Sequence, residues 1–304
     1  MSRVSRVSGK AVFGESAWAG LRQRSRWYGM AMVAHAWIVM LVAMAVGVTW
    51  PHPLLVIGCV ALIGSRQLGL AILMHEAAHG LLHHNRRWND NIGRWLCAWP
   101  MGLSLRAYRS YHIRHHTYAQ QTEDPDLPLS AKFPVTKPSL VRKILRDLGG
   151  ITFLRQRVLP LLASLLGNRR MERSDWIFLG SHGVALSIAW LAGAVWVYFV
   201  FWLLPMATWY MMVLRVRNIA EHACVPTGDD PWQVARTTTA SAWARIWVAP
   251  YFVNYHAEHH LFMSVPCYRL PAIHQALVAD KVLEQRQTPV ADSYWKVLSE
   301  ASGA

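Results

Sequence analysis

The stretch "IGCVALIGSRQLGLAILMHEAAHGLLHH", residues 57–84, passes without a break from apolar chain into histidines. Its first part belongs to an apolar run from about Leu54 to Leu73, and about 20 such residues cross a hydrocarbon core of about 30 Å. Directly after that run comes His75-Glu76-x-x-His79. On a helix this spacing puts two imidazoles on one face, as in zinc proteases with a Glu base. The stretch therefore predicts a membrane span with metal ligands at its end. Alone, it leaves open a membrane metalloprotease or one corner of a larger metal site.

The rest of the chain supplies three more spans, at about 28–50, 176–192 and 195–214. Spans one and two are joined by an uncharged turn at Pro51–Pro53, and spans three and four by the uncharged "LAGA". Lys and Arg lie on the other side. Sixteen fall in 83–175, and the N-terminal tail adds Arg3, Arg6, Lys10, Arg22, Arg24 and Arg26. By the positive-inside rule this predicts an all-α integral membrane protein, with four transmembrane helices as two hairpins. Both termini and a helical cap are then cytoplasmic. Apolar stretches at 95–105, 158–167 and 244–253 are too short to span and read as interfacial helices. The chain reads as a single domain over 1–304, with residues 1–25 a poorly ordered tail. The run beginning near Tyr28 is longer than a signal-peptide core, so it reads as an uncleaved span.

Composition agrees. Hydrophobic residues make up 53% and charged ones 16%, below the quarter usual for soluble chains. The net charge of +14 flanks apolar runs, so it argues against a nucleic-acid partner. It favours anionic lipid or an acidic electron-transfer partner instead. Cys59, Cys97, Cys224 and Cys267 form no CxxC pair, which removes zinc ribbons and rubredoxin-like sites.

Nine of the fifteen histidines are patterned. His75 and His79 are spaced i, i+4. "HIRHH" holds His112, His115 and His116, and "HAEHH" holds His256, His259 and His260. His222 stands alone, four residues after Asn218. Residues i, i+3 and i+4 share a helix face, so each cluster aims its rings at one point. Nine neutral imidazoles exceed one ion's shell and imply two, of iron, copper or zinc. The protease reading weakens, because seven histidines would go unused and spans three and four offer no acidic third ligand. A metal transporter would place its ligands at the membrane midplane, whereas these sit at a span's inner edge. Glu76, Glu221 and Glu258 adjoin the predicted ligands and are candidates to hold imidazole N–H groups. Arg66 interrupts the second span, either lining a pocket or serving structure. His83, His84 and His274 are expected to stay outside the metal site, and His35, His52 and His182 to be structural.

The ordered set "HEAAH", "RSYHIRHH", "RNIAEH" and "NYHAEHH", with "TEDPD" after the second box and "VPCYRLPAIH" after the third, resembles the membrane fatty acid desaturase-like superfamily. The likeness covers about 28–275 and looks closest to bacterial rhizobitoxine-type desaturases. It implies a di-iron centre (Fe2+/Fe3+) with O2 as co-substrate. Carried onto matching positions, it implies His75, His79, His112, His115, His116, His222, His256, His259 and His260 as ligands, with Asn218 contacting one iron through water.

The resemblance implies a fatty acyl desaturase acting on an acyl-lipid or acyl-thioester. Lipid or small-molecule hydroxylation and carotenoid oxidation use similar boxes. The chain lacks a cytochrome b5 heme motif and ferredoxin cysteines, so electrons are expected from an external ferredoxin- or cytochrome b5-like donor. A bacterial inner membrane, with the metal site on its cytoplasmic side, is the expected location.

Overall fold

The computed structural model describes residues 3–303; Met1, Ser2 and Ala304 lie outside the described residues. The fold is almost wholly helical. Two short helices, α1 (Gly9–Phe13) and α2 (Glu15–Leu21), precede α3 (Tyr28–Thr49) and α4 (Pro53–His79). Then come α5 (Leu105–Tyr118), α6 (Lys137–Leu148) and α7 (Arg173–Leu191). A long segment, α8 (Val195–His222), is next. The C-terminal part holds α9 (Ala242–Trp247), α10 (His256–Leu261), α11 (Leu270–Ala279) and α12 (Tyr294–Ala301). A single parallel pair, β1 (Thr237–Thr238) with β2 (Val290–Ala291), closes that part.

Among the described residues, three helices are long and apolar enough to cross a membrane: α3, α4 and α8, of 22, 27 and 28 residues. They match three of the four expected spans. The fourth expected span coincides with α7, a 19-residue helix whose first turn holds Arg173 and Asp175. With those charges, His182 and three serines it is less apolar than the three, although Ile188, Trp190 and Leu191 at its far end are exposed.

Helix α4 is the central post. Of its most apolar stretch 61% is buried, against 33% for α3 and α8. Met32, Ala36 and Met40 of α3, Ile63, Leu70 and Met74 of α4, and Phe201 of α8 fill one core. The outward side chains of α3, such as Ile38, Leu41 and Val42, are exposed, as lipid-facing positions are. Twenty-seven residues rise about 40 Å, more than a bilayer core needs, so the last turns of α4 project beyond it. Gly80 ends the helix there in the left-handed region at φ 78°, the usual glycine cap. Close by, a side chain at Gly29 would strike the carbonyl of Leu82. The start of α3 and the end of α4 are thus held at the same level.

Arg66 proves structural. Buried within α4, it donates to the backbone carbonyls of Arg245 and Ile246 at the end of α9, where a cation meets the negative end of a helix. Ser65 donates to the carbonyl of Trp247 at 2.6 Å. Together they pin the 244–253 stretch against α4. Of the expected interfacial stretches, 95–105 has Cys97 and Ala98 inward with Trp95 and Leu96 outward. Leu159, Leu162 and Leu165 likewise face out.

The N-terminal tail differs from expectation. From Arg3 onward it is a strap across the polar end of the bundle. Trp18 is buried, and it and Phe13 pack on Phe262, with ring centroids 5.4 and 5.3 Å apart. Those aromatic contacts outweigh the disorder that its charge and small residues suggest.

Candidate metal centre

Four helix ends deliver the nine patterned histidines to one place. His75 and His79 hang from the last turn of α4, His112, His115 and His116 line α5, His222 ends α8, and His256, His259 and His260 fill α10. Their ring nitrogens fall into two sets. His75, His79, His112, His116 and His259 form one; His115, His222, His256 and His260 form the other. Within each set the candidate ligand atoms all lie within 4.8 Å of one another.

The partition arises from helical spacing. Helix α5 gives its i, i+4 pair, His112 and His116, to the first set and the intervening His115 to the second. Helix α10 does the reverse: His256 and His260 go to the second set and His259 to the first. Helix α4 completes the first set with another i, i+4 pair. Helix α8 completes the second with His222, and the residue four positions earlier is Asn218. The two sets are thus related by approximate exchange, with Asn218 where the first set has His75.

The nitrogens meet edge to edge. In the first set, Nε2 of His259 lies 2.9 Å from Nε2 of His75 and 3.0 Å from that of His116. In the second, Nε2 of His256 lies 2.9 Å from that of His222 and 3.1 Å from that of His260. Nε2 of His79 is buried without a hydrogen-bond partner among the described residues. Lone pairs crowded this way repel unless a cation sits among them. Nitrogens bound at about 2.1 Å to one ion stand about 3 Å apart, so the donor set fits metal ions. Burial, then repulsion from neighbouring imidazoles, pushes His112, His116, His256, His259 and His260 well below the usual histidine range. They are neutral at pH 7, as ligands must be.

The outer nitrogens are held unevenly. His115 Nδ1 lies 2.8 Å from Asp124 Oδ1, and His222 Nδ1 lies 3.1 Å from the carbonyl of Val234. Asp124 also accepts from the backbone N–H groups of Gln120 and Asp126, so it braces a turn and a ring together. Spacing within the boxes does not point to Asp124; the signal is the "EDPD" segment just after the second box. Of the three glutamates singled out, Glu221 stands 3.5 Å from His256 Nδ1 but bonds Arg217 at 2.6 Å. Glu76 stands 3.6 Å from His75 Nδ1 and accepts the Cys267 N–H at 2.9 Å. Glu258 reaches no ring of either set; it binds the Thr237 hydroxyl and His274 Nδ1.

The other histidines stay apart. His83 Nδ1 accepts the Asn85 N–H and its ring packs on His84. His35 and His182 pair with the hydroxyls of Tyr251 and Tyr198. Beside the histidines lies a cavity of about 200 Å³ lined by Met74, Leu103, Leu129 and Leu214 and by His112 of the first set and His115, His222 and His256 of the second, with Asn218. A smaller one of about 110 Å³ shares Leu103, Tyr210 and Leu214 with it.

Comparison with known proteins adds to this geometry. The profile of the fatty acid desaturase family matches residues 49–291, a range holding all nine histidines and Asn218. A dihydrorhizobitoxine desaturase of Bradyrhizobium elkanii is 26% identical over 239 residues, 73% of this chain and 66% of that protein; the match thus spans just under two thirds of the relative's length. A beta-carotene ketolase of a Paracoccus strain is 25% identical over 84% of this chain and 87% of its own. A sphingolipid delta(4)-desaturase of Drosophila melanogaster is 23% identical over 82% of this chain and 73% of its own. Because the matched range takes in most of the chain and every histidine of the two sets, this protein belongs to the fatty acid desaturase family and is an oxidoreductase of the membrane desaturase-like superfamily.

Proposed function

We propose that this protein is an O2-dependent, di-iron membrane desaturase that introduces a double bond into a fatty acyl chain carried as a lipid or thioester. Two electrons, from an external ferredoxin- or cytochrome b5-type donor, and two protons then complete the reduction of O2 to two waters as the chain loses two hydrogens. The observation that carries the reading is the pairing of two inward-facing histidine sets with a mainly apolar cavity that reaches both of them.

In this reading His75, His79, His112, His116 and His259 hold one iron. His115, His222, His256 and His260 hold the other, with Asn218 engaged through water. The metal pair, when bound, supplies the O2 chemistry that an unactivated C–H bond requires. The protein's part is placement. Met74, Leu103 and Leu214 hold an apolar chain segment and exclude water, and the cavity's end brings one C–C pair to the histidines. Asp124 keeps the His115 ring oriented with Nε2 facing inward. Four spans, as hairpins α3–α4 and α7–α8, would put the metal centre on the cytoplasmic side of a bacterial inner membrane. The concentration of Lys and Arg at that end supports this orientation.

Lipid profiling by mass spectrometry after expression in a host lacking such enzymes tests the reading. A product lighter by two hydrogens is expected. A product heavier by one oxygen would instead favour hydroxylation, and one that gains an oxygen and loses two hydrogens would favour ketone formation on the same scaffold, a reading supported by the ketolase match over most of both chains. Unchanged lipids from iron-loaded protein would overturn the acyl substrate.

A further inference from the structure

The histidine centre opens onto two sides. One cavity, mainly apolar, is lined by His112, His115, His222 and His256. On another side, His79, His116 and His260 form the floor of a cavity of about 560 Å³ whose wall includes Arg3, Arg6 and Trp18 of the N-terminal strap. A neighbouring cleft also reaches His79 and is rimmed by Arg22 and Arg24.

The strap is fixed in place. The Val4 N–H donates to the Thr117 carbonyl at 3.0 Å, and the Ser5 N–H to the Asp229 carbonyl at 3.5 Å. Arg24 donates to the Gly80 carbonyl at 2.9 Å, and the Ser25 N–H to the Tyr268 hydroxyl at 2.6 Å. Arg3, Arg6, Arg22 and Arg24 are exposed. Among the described residues none of the four is ion-paired; the one acid on the strap, Glu15, is taken by Lys10.

We propose that this strap, with its four unpaired arginines, is the docking surface for a small acidic electron-carrier protein. The proposal rests on the oxidoreductase reading above. The carrier gives up one electron per encounter and leaves oxidised, so two encounters serve each double bond. Charge complementarity speeds such encounters. His79, His116 and His260 line the cavity that the strap borders, so the candidate metal centre is reached from that surface, while the substrate cavity is lined by other residues. A bilayer is the weaker occupant. Between Arg3 and Ser25 the strap's aromatics are Phe13 and Trp18, and both turn inward onto Phe262, which leaves none to anchor it in lipid.

The test uses full-length, iron-loaded protein in nanodiscs and a plant-type [2Fe–2S] ferredoxin as the probe. Binding is measured by surface plasmon resonance at low and high salt, with iron content determined on the same sample. The quadruple variant Arg3→Gln, Arg6→Gln, Arg22→Gln, Arg24→Gln should bind ferredoxin at least roughly tenfold more weakly at low salt and lose most of the salt dependence. Its iron content and its reduction by methyl viologen radical should be unchanged. The corresponding four-Lys variant, which keeps the charge, should bind nearly as wild type does. Unchanged ferredoxin affinity in the Gln variant would overturn the proposal. So would an effect seen only in nanodiscs containing phosphatidylglycerol, which would assign the arginines to the lipid surface. Wild-type protein that binds ferredoxin through these arginines but takes up no iron on loading would uphold the docking surface and strike the metal reading instead.

Discussion

Helices α5 and α10 carry the same HxxHH spacing on very different supports. Helix α5 has 14 residues, with Ser104 capping its first turn. Helix α10 has six residues, too few to be stable alone. It comes after Tyr251 and Phe252, at φ 54° and 63°, a backbone region unfavourable for aromatic residues. Neighbours hold it: Thr237 accepts the Ala257 N–H at 3.2 Å and donates to Glu258, and Asn254 donates to the Thr238 carbonyl at 3.1 Å. The lesson is that one box is shaped by its own helix and the other by the residues that pin it. Both still give two rings to one set and one ring to the other.

Removing a ring should hurt equally on both helices. His116→Ala and His259→Ala each take a nitrogen from the first set, and each should lower iron content and cut turnover by at least about 100-fold. Elemental analysis with lipid profiling checks this, and a silent His259→Ala would dissolve the pairing of the boxes. Removing support should hurt unequally. Thr237→Val, beneath α10, should weaken iron binding by about 10- to 100-fold, read by chelator competition. Ser104→Ala, capping α5, should cost only about 1 kcal/mol of stability, read by thermal unfolding, and leave iron bound.

Between those effects stands a pH dependence shared by the two helices. His112, His116, His256, His259 and His260 sit well below the usual 6.5 in the fold, so the unfolded chain takes up their protons first. Stability of metal-free protein should therefore be flat above about pH 6.5 and fall as pH drops below it, by up to about 1.4 kcal/mol per pH unit for each ring that stays neutral. Thermal melts across about pH 8 to 5 check the sign, and melts that rise toward acid would break the account. Asn218→His sharpens the exchange between the sets by supplying the ring that α8 lacks. It should tighten metal binding yet lower turnover by filling the position proposed above for a water, seen by chelator competition alongside lipid profiling.

Much of this site was legible because helical spacing is a local property. The i, i+3 and i+4 offsets of the histidines are printed in the chain, and so is their position just after apolar runs. What was not legible depends on contacts distant in sequence. Arg66 can be read from sequence as a pocket residue or a structural one, and its partners, the carbonyls of Arg245 and Ile246, lie about 180 positions away. The strap looked disordered because Phe262, which packs on its aromatic rings, lies at the other end of the chain. Asp124 was visible only as part of a family-like segment; its grip on His115 depends on how the turn after α5 folds back.

The length of α4 has a consequence for the substrate. From Leu73, where its apolar run ends, to His79 is six residues, about 9 Å along the axis. The helix therefore acts as a stilt that keeps the candidate metal centre clear of the oil. The acyl chain proposed as substrate would not simply drift sideways into reach; it would have to be hauled up out of the leaflet, and hydrocarbon–water contact opposes that haul unless the protein walls it off. Shortening the stilt by one turn would lower the histidines toward the hydrocarbon and change which carbon they meet.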